Sequence, residues 1–236
     1  LQVWFPKAEA DSLNLFVKKG SIEENFTFKY RDQKPDSLSF NMSHNGAINF
    51  RDVIALESTI PMQTIDLNKI QFINKDSLAT EFATVLDTLN SKLTFKFKKE
   101  PLEKYTLNIY PGAITDFFGN KNDTLSYKFS TKSESEYGNM RILLSQVKSF
   151  PIIVQLIDDK GKILAEEYSE ENPTIEFLAL QPNKFRLRII YDTNKNGVWD
   201  PGNFLNKTQS EEVIYFPEEL DVRANWEVEQ PFILAP

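Results

Sequence analysis

Phe185-Arg-Leu187-Arg-Ile189-Ile-Tyr191 alternates apolar side chains with arginines. In an extended chain that spacing sends one set toward a core and the other toward solvent. The same period of two recurs in Phe26-Thr-Phe28-Lys-Tyr30, Leu93-Thr-Phe95-Lys-Phe97, Tyr105-Thr-Leu107-Asn-Ile109 and Tyr127-Lys-Phe129. Between the runs stand turn formers: Lys19-Gly20, Asn45-Gly46, Pro111-Gly112, Gly119-Asn120, Lys160-Gly161, Pro182-Asn183 and Asn196-Gly197. Many short strands separated by regular turns predict an all-β chain built of sandwiches. One segment, Ser77 to Leu89, sets Phe82, Val85 and Leu89 at helical spacing and is the single helix candidate.

The 236 residues allow one to three domains. Residues 1–37 hold about three strands, too few to bury a two-sided core alone, so they either complete the next unit or end a preceding module. Residues 38–131 form the next unit. The polar segment Lys132-Ser-Glu-Ser-Glu-Tyr137-Gly138 reads as a linker. Residues 139–236 leave room for a second sandwich of about seven strands.

A hydrophobic fraction of 41%, with 13% aromatics including 19 Phe, suffices for packed cores and argues against disorder. The net charge of −7 with interspersed signs offers no basic face for nucleic-acid phosphates. The absence of cysteine removes disulfides, thiolate metal sites and thiol nucleophiles. No apolar run approaches the roughly 20 residues that span a bilayer. The chain opens on Leu1 with neither a charged nor an apolar leader segment, which reads as a trimmed or processed fragment.

Two resemblances follow from quoted residues. Tyr105-Thr-Leu-Asn-Ile109, then Asp116-Phe-Phe-Gly119-Asn120 and Tyr127-Lys-Phe-Ser-Thr131, resemble the closing strands of bacterial Ig-like domains of the surface-layer type. Ser58-Thr-Ile-Pro61 with Ile65-Asp66 resembles their early strands, so the likeness spans about residues 38–131. Val154-Gln-Leu156, Phe177-Leu-Ala-Leu-Gln-Pro182, Phe185 to Asp192, Asn194 to Asp200 and Leu220 to Trp226 are similar to a prealbumin-like or carboxypeptidase-regulatory-like sandwich. That family usually has Gly where this chain has Asn183, so the turn there is expected to hold Asn in a left-handed conformation. The resemblances imply tandem Ig-like and prealbumin-like sandwiches in an exported Gram-negative lipoprotein, at the outer-membrane surface or in the periplasm, with no catalysis.

Asp192-Thr-Asn194-Lys-Asn196-Gly197-Val198-Trp-Asp200 places side-chain oxygens at positions 1, 3, 5 and 9, a backbone carbonyl at 7 and Gly at 6. That is calcium-loop spacing, and a hard cation needing six to eight oxygens suits it. Position 12 is Asn203 rather than Glu, and a strand leads in, so Glu211 or Glu212 would have to complete the shell. The alternative is a loop whose Asn and Asp side chains cap its own backbone. Trp199 is expected to pack on the sandwich end.

Arg223, Asn225 and Trp226 form the second candidate, a guanidinium, amide and indole suited to stacking and bonding a sugar. The competing expectation has Arg223 paired with an acidic neighbour and Trp226 filling the core. Asp116 is expected to bond local backbone N–H groups in a wide turn. His44, the only histidine, reads as an exposed turn residue without a nucleophile-elbow motif. The doublets Glu166-Glu167, Glu170-Glu171, Glu211-Glu212 and Glu218-Glu219 point to opposite faces of a strand and do not make glycosidase pairs. The sequence therefore points to a non-enzymatic structural or interaction module. It would need no cofactor, admit calcium as a staple, meet a protein or glycan at the cell surface, bind no nucleic acid, and touch a membrane only through an anchor outside these residues. A carbohydrate-binding module and a sandwich-borne glycosidase or peptidase are the alternatives.

Overall fold

The computed structural model describes residues 3–7, 9–29, 37–89 and 91–234. The chain divides into two compact units, residues 1–46, 53–98 and 104–129 in one and 47–52, 99–103 and 130–236 in the other. Among the described residues the regular structure is β-strand, with two 3₁₀ turns and no α-helix.

Among the described residues twelve strands precede residue 132: β1 (Ser12–Lys19), β2 (Ile22–Lys29), β3 (Phe40–Met42), β4 (Gly46–Ile48), β5 (Ile54–Ser58), β6 (Met62–Ile65), β7 (Ile70–Ile73), β8 (Phe82–Asp87), β9 (Lys92–Phe97), β10 (Lys104–Ile109), β11 (Ile114–Asp116) and β12 (Leu125–Thr131). Two four-stranded sheets run β4-β12-β10-β7 and β3-β5-β9-β8, and β11 pairs with β6. Alternation places Phe72 on β7, Tyr105 on β10 and Phe129 on β12 inward from the first sheet, against Phe82 and Phe97 from the second. The ring centroids of Phe72 and Phe97 are 4.6 Å apart at 83°, an edge-to-face contact that adds to the burial of both rings.

The helix candidate proves to be β8, antiparallel to β9 with Phe82 opposite Phe97 and Leu86 opposite Leu93. Val85 is exposed and Leu89, beyond the strand, is 94% exposed, so the helical triplet shares no buried face. Period-2 pairing with β9 overrides it. In residues 1–37 the described strands are the hairpin β1-β2, not three. Leu13 and Leu15 face Phe28 and Phe26, and Phe5 lies 6.4 Å from Phe28. Tyr30, the last residue of that sequence run, falls outside the described residues.

Eight strands follow: β13 (Gly138–Ser145), β14 (Ile152–Ile157), β15 (Ile163–Ser169), β16 (Thr174–Leu180), β17 (Asn183–Tyr191), β18 (Val213–Tyr215), β19 (Leu220–Val222) and β20 (Glu227–Ile233). One sheet has the order β16-β13-β20; the other runs β15-β14-β17-β18, with β19 also on β17. Met140, Ile142 and Phe177 from the first meet Val154, Leu156, Leu187 and Ile189 from the second in one buried cluster. These side chains alternate along their strands, the arrangement that two packed sheets require. The decisive run is β17, whose Phe185, Leu187, Ile189 and Tyr191 all enter this core.

The expected linker is not free chain. Tyr137 is buried, its hydroxyl donates to Asn49 Oδ1 (3.1 Å) and its ring meets Phe50 edge-on at 5.1 Å. Gly138 already belongs to β13. Asn183 is the first residue of β17 and does not take the left-handed conformation expected of it; in that corner Ala179 does, at φ 53°.

Candidate functional site

The acidic loop leaves the end of β17 and returns toward β18. Asp192 follows the inward-facing Tyr191 and is itself 1% exposed, so its carboxylate must be bonded inside the structure. Its Oδ2 accepts from Gly197 N (2.7 Å) and its Oδ1 from Asn196 N (3.1 Å). Gly197 takes φ 74° and Lys195 φ 62°, the left-handed geometry that curls the chain back over that carboxylate. Asn194 Oδ1 accepts from Asn196 N (3.1 Å), and Asn196 Oδ1 from Val198 N (2.9 Å). The amide groups of Asn194 and Asn196 donate to Asp200 Oδ2 at 2.5 and 2.7 Å.

Glu211, from the returning strand of chain, locks the loop from below. Its Oε1 accepts from Thr193 N (2.7 Å) and Thr193 Oγ1 (3.0 Å), and its Oε2 from Asp200 N (3.1 Å). It is 7% exposed. Glu212, its neighbour, points elsewhere and pairs with Lys148. The Tyr168 phenol is raised above its ordinary range, first by desolvation and then by the charge and hydrogen bond of Asp192.

Side-chain-to-backbone bonds from Asp192, Asn194, Asn196 and Glu211 hold the curl of the loop. A calcium ion at the five sequence positions would draw on Asp192, Asp200, the amide oxygens of Asn194 and Asn196 and the Val198 carbonyl. The two amides now present their N–H groups to Asp200, so they would have to turn. Among the described residues no three acidic or imidazole side chains gather as a metal-ligand group. Trp199 is 43% exposed, with its indole N–H donating to Glu211 O (3.4 Å).

At the second candidate, Arg223 pairs with Asp221 on β19 through Nε (3.0 Å) and Nη2 (2.9 Å), not with the acidic loop. Its guanidinium carbon sits 5.4 Å from the centre of the Trp226 ring. Trp226 is 48% exposed rather than a core residue. Just before it, Asn225 takes φ 60° in the turn ahead of β20, and its N–H donates to Tyr137 O (2.7 Å). Arg223, Asn225 and Trp226 are thus contiguous, with the cation stacked on the ring.

The remaining candidates make local structural bonds. Asp116, fully buried, accepts from Phe118 N and Asn120 N, both at 2.8 Å, as the wide-turn reading expects. Asn122, in the same turn segment, accepts from Ile114 N and donates to Tyr110 O and Asp123 O. His44 is half-buried, with Nδ1 2.9 Å from Ser43 Oγ. That hydroxyl also bonds Val53 O (3.2 Å) and Ala55 N (2.9 Å), so the pair ties down the turn into β5. Glu166 bonds Gln155, and Glu167 pairs with Arg51 (2.7 Å).

No family model and no curated protein matches the chain. Among solved structures it is similar to the MG0-NIE-MG1 segment of native alpha-2-macroglobulin from Escherichia coli, at 10% identity over 80% of this chain and 89% of that one, with a TM-score of 0.34. It is similar to the BcpA major pilin subunit of Bacillus cereus at 11% identity over 95% and 78%, with a TM-score of 0.27. The TIE protein of Bacillus anthracis follows at 9% identity over 86% and 41%, with a TM-score of 0.25. All three are remote likenesses to bacterial proteins.

Proposed function

We propose that this chain is a non-enzymatic structural or interaction module of an exported bacterial protein, a surface or periplasmic lipoprotein, in which β-sandwiches hold a partner-binding surface at a distance from an anchor. The observation that carries the reading is the use made of the chemistry-bearing side chains. Asp116, Asn122, Asp192, Glu211 and Ser43 all bond backbone groups and rigidify turns. Such loops suit a scaffold that must keep its shape outside the cell. Calcium bound through Asp192, Asn194, Asn196, Val198 and Asp200 would act in the same sense, as a staple.

A second reading, glycan binding, draws support from the outward Trp226 with Arg223 stacked on its ring and Asn225 beside it, since apolar sugar faces stack on exposed indoles. Fractionation and protease shaving of the producing cells test the first reading. Cleavage of the chain on intact cells, or only after the outer membrane is opened, is the expected result; recovery of protected chain in the cytosol would overturn it. Glycan-array binding that is lost on Trp226→Ala would instead favour the carbohydrate-binding module.

A further inference from the structure

Beyond the self-capped curl, the same loop builds a second feature. Asn203 and Thr208 exchange backbone hydrogen bonds at 3.0 and 3.1 Å and close a tight turn over residues 204–207. Asn203 Oδ1 accepts from Asn206 N (3.0 Å), and Lys207 N donates to Phe204 O (3.3 Å). At Gly202 a Cβ would stand 3.0 Å from Ser210 N and 3.1 Å from Thr208 O, close enough that the stem would have to give by a few tenths of an ångström. This bonded tip presents Phe204 at 96% and Leu205 at 88% exposure. Val198 and Trp199, in the same loop, are 62% and 43% exposed.

Single exposed apolar residues are ordinary, but two adjacent large ones held almost wholly in water on a built turn call for a covering phase. Charge identifies it. The loop from Asp192 to Glu211 contains three carboxylates, Asp192, Asp200 and Glu211, and two lysines, Lys195 and Lys207. Asp192 and Glu211 are buried and Asp200 is half-buried and turned onto the Asn194 and Asn196 amides, whereas both lysines are exposed, so the charge the loop shows to solvent is mainly basic. A turn that exposes Phe204 and Leu205, in a loop that also carries a half-exposed Trp and two exposed lysines, has the composition of an interfacial membrane contact. A protein partner would have to supply a concave receptor for two protruding side chains, while the acyl region of a bilayer deforms around them.

We propose that the 203–208 tip is a membrane-contact element that inserts Phe204 and Leu205 into an anionic phospholipid surface while Lys195 and Lys207 meet its headgroups. Co-sedimentation of the full chain with phosphatidylcholine vesicles, with and without one-quarter phosphatidylglycerol, tests this at low and high salt. Binding to the anionic vesicles is expected, weakened in high salt and by Lys195→Glu with Lys207→Glu. Phe204→Asp with Leu205→Asp should reduce partitioning at least tenfold, and Phe204→Ser with Leu205→Ser should repeat the loss without added charge. Both sets lie on an exposed turn, and an unchanged melting midpoint verifies folding. Absence of binding to either vesicle, or binding indifferent to the tip substitutions, overturns the proposal and leaves the tip to a protein partner.

Discussion

Asp192 and Glu211 are the residues on which the acidic loop depends, because each is a buried carboxylate whose bonds go to backbone N–H groups. Hydrogen bonds to a charged acceptor contribute about 1.5 kcal/mol or more each, equivalent to roughly tenfold in a local opening equilibrium. Glu211→Ala is therefore expected to speed amide exchange at Thr193 and Asp200 about tenfold, with a smaller effect from Glu211→Gln. Exchange unchanged at both amides would show that Glu211 does not hold the loop. Ligand linkage gives the calcium test. If the loop takes the ion, millimolar calcium should raise the melting midpoint by about 4 °C or more, reversibly with EDTA and not in Asp192→Asn. A flat midpoint would remove calcium from the loop. The loop's own residues were legible because Asx, Gly and their spacing are local signals. Glu211 entered the reading as a metal ligand and as half of an acidic doublet; its actual partners, Thr193 and Asp200, lie 18 and 11 residues away.

At the scale of elements, pairing decides what periodicity leaves open. β14 is buried at all six positions, Ile152 to Ile157, although a strand with one free face would alternate. Its Gln155 joins a polar row across the sheet, bonding Glu166 on β15 and accepting from Arg188 Nε on β17 at 2.7 Å; Arg188 in turn reaches Tyr215 on β18 at 3.3 Å. β13 lies between β16, antiparallel, and β20, parallel, and the second pairing joins Asn139 to Glu227. That crossover presses Gly138 against the chain before β20, where an added Cβ would stand 2.4 Å from Arg223 O and 2.5 Å from Val222 Cγ1. Gly138→Ala is accordingly expected to cost about 1–3 kcal/mol by overpacking, read as a lowered urea midpoint. A neutral result would mean that the β13 edge has room to shift. Its neighbour in the sequence, Tyr137, shows why a polar segment was mistaken for a linker: one aromatic ring buried against Phe50 anchors it.

For the whole molecule, each unit has its own core. Phe72, 3% exposed among Phe82, Phe97, Tyr105 and Phe129, centres one; Phe177, fully buried with Met140 and Ile189, centres the other. Phe72→Ala and Phe177→Ala should each cost about 3–5 kcal/mol. Because the two cores share no residue, the double variant should lose the sum to within about 0.5 kcal/mol. A coupling energy well above that in denaturant titrations would show that the two cores are energetically coupled.

The sequence by itself determined that the chain is all-β, where its main strands and turns fall, and which loop would curl on its own Asx and Gly residues. Those properties follow from backbone sterics and side-chain alternation, which act over a few residues. Only the tertiary structure decided that residues 82–87 form a strand, that Tyr137 is buried and Trp226 exposed, and that β20 runs parallel to β13. Each of these depends on a partner far along the chain, as Phe82 depends on Phe97 and Asn139 on Glu227, and no local period encodes which partner arrives. The acidic loop shows both sides at once: its curl is written in its own Asx and Gly residues, while the Glu211 lock beneath it exists only because the chain returns.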